Sequence, residues 1–369
     1  MQTLRKIAFL LEEFTTPSPA QQLLDRFLIG YPRDGTFHMP EGATVSAHLM
    51  LPGNEPDFDK RRDDFDLVIA PNAAQAVEGA DAVVVASRKP GAVANDRFLQ
   101  IALEGADAGS ACFVHGALSN TFQRGREQVS LAHSRQIALL AGTPVALTWR
   151  LPEVDLTPGT SLTEALIVVQ GAFPGAELHA LEGLLPVIEH RRGGESGVRR
   201  IGFLEGQELW RAGERGLWSR TLLASALSRS HTPQGEAVVD GRTQDLLGLG
   251  LVPKLARSPR GWLLEHHDGL RSTLLVLDGV VADINFAVAA AEGATVSAQL
   301  FRAPPPAEHH FSRLAATMED FFRSRKAPWP VERNLLIAGL LEAFARPATR
   351  LAPRVDTPWL GVSYPVTTR

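Results

Sequence analysis

The chain is 369 residues long, 44% hydrophobic and 21% charged, with a formal net charge of −4. That length favours two domains, and the mix belongs to a globular protein able to bury large cores. One cysteine, Cys112, excludes an internal disulfide and a cysteine-rich metal site and fits a reducing, cytoplasmic setting. No basic run with interleaved aromatics points to nucleic acid, and no apolar stretch approaches the roughly 20 residues of a membrane span.

The first apolar run stops at Glu12-Glu13, too early for a signal peptide, so Lys6–Leu11 reads as a strand buried on both faces. Ser18-Pro19 opens a helix: Ser18 suits the cap, Pro19 the first turn, and Leu23, Leu24, Phe27 and Leu28 recur at helical spacing. Thr44–His48 reads as a second strand, and Asp66–Ala70 as a short strand or the lead into an Ala-rich helix over 73–79. Asp81–Ala86 is the clearest buried strand. Asn95–Glu104 reads as a helix, Ala111–His115 as a strand, and Gln123–Leu140 as a long helix with Gly142 at its C-cap. Val145–Trp149 reads as a further strand. Strand and helix alternate through residue 150, which predicts a parallel sheet with right-handed crossovers.

Beyond Pro152 the pattern changes. Ala165–Gln170 reads as a strand, Leu178–Glu189 as a helix that Pro186 should kink, and Val198–Glu205 as a strand. Trp262–His266, Ser272–Leu277, Asp283–Ala287 and Thr295–Arg302 read as a series of strands, with His267-Asp268-Gly269 as a hairpin turn. They predict an open, mainly antiparallel sheet. His309–Ser324 and Val331–Ala345 read as closing helices, with His309-His310 at the surface. The expected fold is α/β: a Rossmann-like domain over 1–150, an α+β domain over 151–345 whose last helices can pack back on the first, and a Pro-rich surface tail over 346–369.

Several segments carry a family likeness. Phe113-Val-His-Gly-Ala-Leu-Ser119 precedes a helix and then Pro144-Val-Ala-Leu-Thr-Trp-Arg150. Gly171–Glu182 contains His179-Ala-Leu-Glu182; Glu189–Glu195 reads Glu-His-Arg-Arg-Gly-Gly-Glu; Phe311-x-x-Leu314, Phe321-Phe322 and Pro330–Leu336 close the pattern. With these segments in this order, the chain resembles the Gfo/Idh/MocA family of sugar and polyol oxidoreductases, and more narrowly a divergent bacterial branch of it. The resemblance runs nearly end to end. It implies a hydroxylated small-molecule substrate, NAD or NADP as cofactor, and a homo-oligomer paired through the C-terminal sheet.

The departures from the family pattern are specific. A dinucleotide fold wants G-x-G-x-x-G after its first strand, so that backbone N–H groups can approach the pyrophosphate. Here the turn reads Leu11-Glu12-Glu13-Phe14-Thr15-Thr16-Pro17, with no glycine. The family's Glu-Lys-Pro motif reads His115-Gly116-Ala117, so its lysine is Gly116. Its His-x-x-Asp motif keeps its form as His179-x-x-Glu182, one helical turn apart on one face.

The candidate residues follow from these positions. His179, Glu182 and His115 are the catalytic candidates, with an imidazole beside a carboxylate suited to exchanging a proton with a substrate hydroxyl. The bland alternative is a polar pair at a helix end and a structural strand-end histidine. Glu12, Ser87, Arg88 and Lys89, at the carboxyl ends of predicted parallel strands, are the cofactor candidates. Trp149 and Arg150, at the chain's crossover between domains, offer an apolar wall and an anion clamp, or plain interface packing. No metal-ligand spacing exists; Glu265-His266-His267-Asp268 sits on a predicted hairpin, and Ser119 and Ser161 lack a nucleophile-elbow context. The leading reading is a Gfo/Idh/MocA-like oxidoreductase with His179 as acid/base. The alternatives are a lyase, isomerase or hydrolase working without NAD(P), and a non-catalytic oligomeric binding protein.

Overall fold

A computed structural model describes residues 4–40, 42–51, 56–87, 93–171, 175–232 and 247–366. The chain divides into two compact units: one runs to Leu147 and takes in Arg302–Gly339, and the other comprises Thr148–Phe301 and the chain from Leu340 onward.

The first unit is built on six parallel strands: β1 (Lys6–Leu11), then, after a short hairpin of β2 (Tyr31–Arg33) and β3 (Thr36–His38), β4 (Thr44–Leu49), β5 (Val68–Ile69), β6 (Ala82–Ala86), β7 (Ala111–His115) and β8 (Ala138–Gly142). Their spatial order is β5-β4-β1-β6-β7-β8. Leaving out the hairpin, this is the 3-2-1-4-5-6 order of a dinucleotide fold, with its switch point between β1 and β6. The apolar runs are unbroken because both faces are covered. Ile7, Phe9, Leu11, Val84 and Phe113 pack with Leu23, Leu24 and Phe27 of helix Pro19–Leu28 and with Leu314, Met318 and Phe322 of helix His310–Ser324. Ala8, Leu10, Val83, Val85 and Val114 pack on the opposite side with Ala76, Phe98, Leu99 and Ala132.

Two expectations fail here. The helix predicted to reach Leu140 ends at Ser134, and residues 138–142 form β8 instead. The cause is a Schellman stop: Gln136 adopts a left-handed conformation (φ 55), its N–H donates to His133 O at 3.0 Å, and Ile137 N–H donates to Ala132 O at 2.9 Å. A short apolar run reads equally as helix or strand, and here the free edge of β7 decides. Gly142 therefore ends a strand rather than capping a helix. Val145 lies in a 3-10 turn, Pro144–Leu147, and the next strand is β9 (Trp149–Leu151), in the second unit.

The second unit adds β10 (Leu162–Val169), β11 (Val198–Glu205), β12 (Arg257–His266), β13 (Arg271–Asp278), β14 (Ile284–Ala290), β15 (Thr295–Phe301) and β16 (Val355–Asp356). The eight strands are ordered β16-β11-β12-β13-β10-β14-β15-β9. Every pairing is antiparallel except β10 with β13. Helix Ala176–Ile188, which runs on through Pro186, packs on β10, β13 and β14. The sequence reading missed helices Gly206–Glu214 and Arg220–Leu227, whose Leu209, Leu222 and Leu223, with Trp218 of the link between them, bury Leu166, Val168, Leu275, Leu277 and Ala287. These helices cover one face of the sheet along β10, β13 and β14.

The surface tail is also corrected. Val355 and Asp356 pair with Ile201 and Arg200, Thr357 and Leu360 are fully buried, and Tyr364 pairs with Glu195 while its hydroxyl donates to Glu189 at 3.1 Å.

Candidate functional site

Open parallel sheets present ligands at their carboxyl edge, beside the switch point. In the first unit that edge is the end of β1, β6 and β7. Glu12 continues the sheet: its N–H donates to Ala86 O at 3.1 Å, and its C=O accepts from Leu51 N–H at 3.1 Å. Glu12 and Glu13 are half-buried. Phe14 is fully buried; its ring lies 5.2 Å from Phe58 and 5.4 Å from the Arg61 guanidinium. Arg61 is held by both oxygens of Asp25, at 2.9 and 2.6 Å. The following helix is closed off by its own cap: Ser18 Oγ accepts from Gln21 N–H at 3.1 Å, and Ser18 O accepts from Gln22 N–H at 2.9 Å.

A dinucleotide pyrophosphate needs glycine-thin backbone and available N–H groups at this turn. The residues present do not fit it. Every position from Glu12 to Ser18 carries a side chain, Pro17 and Pro19 have no N–H, and an aromatic ring occupies the interior of the bend. The end of β4, where a carboxylate would meet a ribose, reads Leu49-Met50-Leu51. Ser87 follows β6 and is buried. Arg88 and Lys89 lie outside the described residues.

His115 ends β7 and is 3% exposed. Its C=O accepts from buried Asn95 at 3.1 Å, and its ring stacks on Phe311 at 6.0 Å. Burial pushes its pKa down to about 4, so the imidazole is neutral at pH 7. Its Nδ1 has no hydrogen-bond partner among the described residues. Such a group can accept or donate one hydrogen bond, but it is no cationic acid. Next to it, Gly116 has φ 96 and donates to Gly142 O at 2.9 Å. The family lysine would stand here on left-handed backbone that only glycine adopts readily. His310, expected at the surface, is buried as well; burial first, then Arg302 and Arg26, lower its pKa to about 3.

In the second unit, His179 and Glu182 lie on helix Ala176–Ile188, one turn apart as the spacing predicts. His179 is half-buried in the first turn, whereas Glu182 is wholly enclosed. Pro186 supplies no N–H to the Glu182 carbonyl four residues back. Arg150, on β9, donates to Val154 O at 3.2 Å, pairs with Asp155 and lies 6.0 Å from the Phe286 ring. It lines a cavity of about 350 Å³ with Leu156, Pro158, Pro186, Val187 and His190. That cavity touches the far end of the helix, about 10 Å along its axis from His179. Arg150 and His179 therefore do not share a site within this unit. Trp149 is 38% exposed, with its ring 6.3 Å from Phe301.

The sequence reading also missed a buried relay. The Ser272 hydroxyl lies 2.9 Å from His266 Nε2, and His266 Nδ1 lies 2.9 Å from Glu195 Oε1. Glu195 is further held by Arg191 at 2.9 Å and by the Gly197 N–H at 2.8 Å. His266 is thus a strand residue, not part of an exposed hairpin. The order serine–histidine–carboxylate matches a nucleophile, base and orienter. Each is 1% exposed or less, so no substrate reaches the hydroxyl. A cavity of about 230 Å³ is lined by Arg271, Ser272 and Thr273 among others, yet Ser272 itself is buried. The relay is a structural pin. Among the described residues no cluster of three metal-ligating side chains occurs, and no helix is long and apolar enough to cross a membrane.

No known protein-family profile matches the sequence, and no curated protein matches it. Solved structures do match. GenD2 from gentamicin A biosynthesis, in complex with NAD, is 12% identical, covers 97% of each chain and has a TM-score of 0.61. Myo-inositol dehydrogenase from Lactobacillus casei, in complex with NAD(H) and myo-inositol, is 12% identical over 96% of this chain and 97% of its own, with a TM-score of 0.56. Biliverdin reductase from Synechocystis, in complex with biliverdin and NADP+, is 12% identical over 91% and 96%, with a TM-score of 0.52. At these identities the likeness establishes the fold. It is the two-domain architecture that the resemblance to the Gfo/Idh/MocA family implies.

Proposed function

We propose that this chain, with the two-domain fold of the Gfo/Idh/MocA dehydrogenases, is an enzyme acting on a sugar, polyol or related hydroxylated small molecule, with His179 exchanging the proton of the reacting hydroxyl. The observation that carries the reading is the place of that imidazole: half-buried in the first turn of helix Ala176–Ile188, with an enclosed carboxylate three residues further along the same helix. An imidazole can take a proton from a hydroxyl and return it at neutral pH. A neighbour named for myo-inositol, with NAD(H) bound, and biliverdin reductase, with NADP+ bound, favour an oxidoreductase by likeness of fold.

A second reading has its own observation. The closed first turn favours a lyase, isomerase or hydrolase that keeps the fold and works by proton transfer alone. Turnover of a polyol and sugar panel separates the readings, followed by product mass and by NADH absorbance. His179→Ala and His179→Gln should lower turnover about 10²–10⁴-fold. Equal activity of both variants and the parent removes His179 from the chemistry. No turnover by the parent, with an intact oligomer, leaves the binding-protein reading. A cytoplasmic location is proposed from the lone, buried Cys112. Pairing of two copies is proposed through the β11–β12 side of the sheet, where Arg199, Arg200 and Arg354 surround Glu265. Light scattering tests it.

A further inference from the structure

We infer that the turn after β1 is an aromatic latch and takes no dinucleotide pyrophosphate, so that hydride chemistry in this chain has no anchor at its usual place. The inference rests on the fold reading above and separates its two branches.

Three features of the first unit support it independently. The first is space. Phe14 is at 0% exposure, under Phe58 and beside Arg61. A diphosphate resting on the bend would need the volume that this ring fills. The second is hydrogen-bonding capacity. Glu12 N–H is used by Ala86, and Gln21 and Gln22 N–H are used by Ser18. Pro17 and Pro19 have no N–H to offer. A helix N-terminus binds an anion through donors pointing at it, and here the cap residue accepts them first. The third is charge. Arg61 beside the ring is committed to Asp25 through two hydrogen bonds, which hold its pKa above the ordinary guanidinium value. With its charge already met by Asp25, Arg61 makes no cradle for an incoming pyrophosphate.

The latch also has a role of its own. Phe14 and Phe58 join the turn to helix Pro56–Asp64, and Arg61 ties that helix to Asp25 of helix Pro19–Leu28. The bend is here part of the packed core.

The test is titration of the full chain with NADH and NADPH, read by fluorescence, with deuterium exchange of peptides covering residues 9–28. The expected result is no saturable binding at millimolar dinucleotide, and unchanged exchange in those peptides. Saturable binding that leaves the 9–28 peptides unchanged also supports the inference, because the pyrophosphate then lies elsewhere. Saturable binding that slows exchange across 12–22 overturns it. Phe14→Gly, which removes the ring but supplies no donor, should bind neither dinucleotide. If that variant does not fold, the parent protein alone decides. Loss of polyol turnover on His179→Ala together with protected 12–22 amides would defeat this inference and leave the proposed function standing. The absence of both binding and turnover would do the reverse.

Discussion

Replacing Glu195 in the second unit with Ala strips hydrogen bonds from four residues at once. Its carboxylate accepts from Arg191 Nη1 at 2.9 Å and Nη2 at 3.3 Å, from Ser196 and Gly197 N–H at 3.0 and 2.8 Å, and from His266 at 2.9 Å. The side chains of Arg191 and His266 are 2% and 0% exposed, so water does not replace what is lost. Burial raises the Glu195 pKa, but His266 and Arg191 outweigh it and hold the carboxyl well below the usual range. Removing one partner of such a pair costs about 3–5 kcal/mol, a third or more of a typical domain's stability. Arg191 keeps Asp268 at 2.6 Å, which puts the expected value towards the lower end. The assay is urea unfolding followed by tryptophan fluorescence. Trp149, Trp210, Trp218, Trp262 and Trp359 all lie in this unit, and Trp329 alone lies in the other. With a urea slope near 2 kcal/mol/M, the midpoint should fall by about 1.5–2.5 M. The ion pair is present in full above the ordinary glutamate pKa of about 4.3 and fades as pH falls below it. The penalty for Glu195→Ala should therefore shrink in acid. A midpoint shift under about 0.5 M at pH 7, with the slope unchanged, would refute the claim that this network pins the unit.

Further outcomes follow from the same contacts. Phe14→Ala should destabilise the first unit by about 3–5 kcal/mol, read by urea unfolding in far-ultraviolet circular dichroism, and a loss below 1 kcal/mol would mean that the ring is not packed as described. His115 stays neutral when folded down to about pH 4, whereas the unfolded chain takes the proton near 6.5. The first unit should accordingly be most stable above pH 6.5 and lose stability from there towards pH 4; His115→Gln should flatten that slope in a pH series of melting temperatures. His310, with its pKa lowered to about 3, acts in the same direction. Gly116→Lys should lower stability by at least about 1 kcal/mol without creating NADH-dependent turnover, because φ 96 strains any side chain there.

The parallel half was legible because its strands are covered on both faces. Lys6–Leu11, Ala82–Ala86 and Ala111–His115 read as unbroken apolar runs, and the alternation of element types set the parallel sheet. Ser18 and the turn His267-Asp268-Gly269 gave local stops and starts that held wherever the chemistry was local. What failed depended on distant partners. Residues 138–142 became a strand only because β7 offered an edge, and Val355–Asp356 only because β11 did.

The site divides in the same way. Local sequence fixed the absence of glycine after β1 and the one-turn spacing of His179 and Glu182, since both are matters of covalent order and helical period. It left open that Phe14 turns inward, that Glu182 is enclosed while His179 is not, and that Arg150 lies at the other end of the helix. The relay of Ser272, His266 and Glu195 joins residues up to 77 positions apart. Burial and charge pairing are properties of neighbours in space, and only the packed chain decides who those neighbours are.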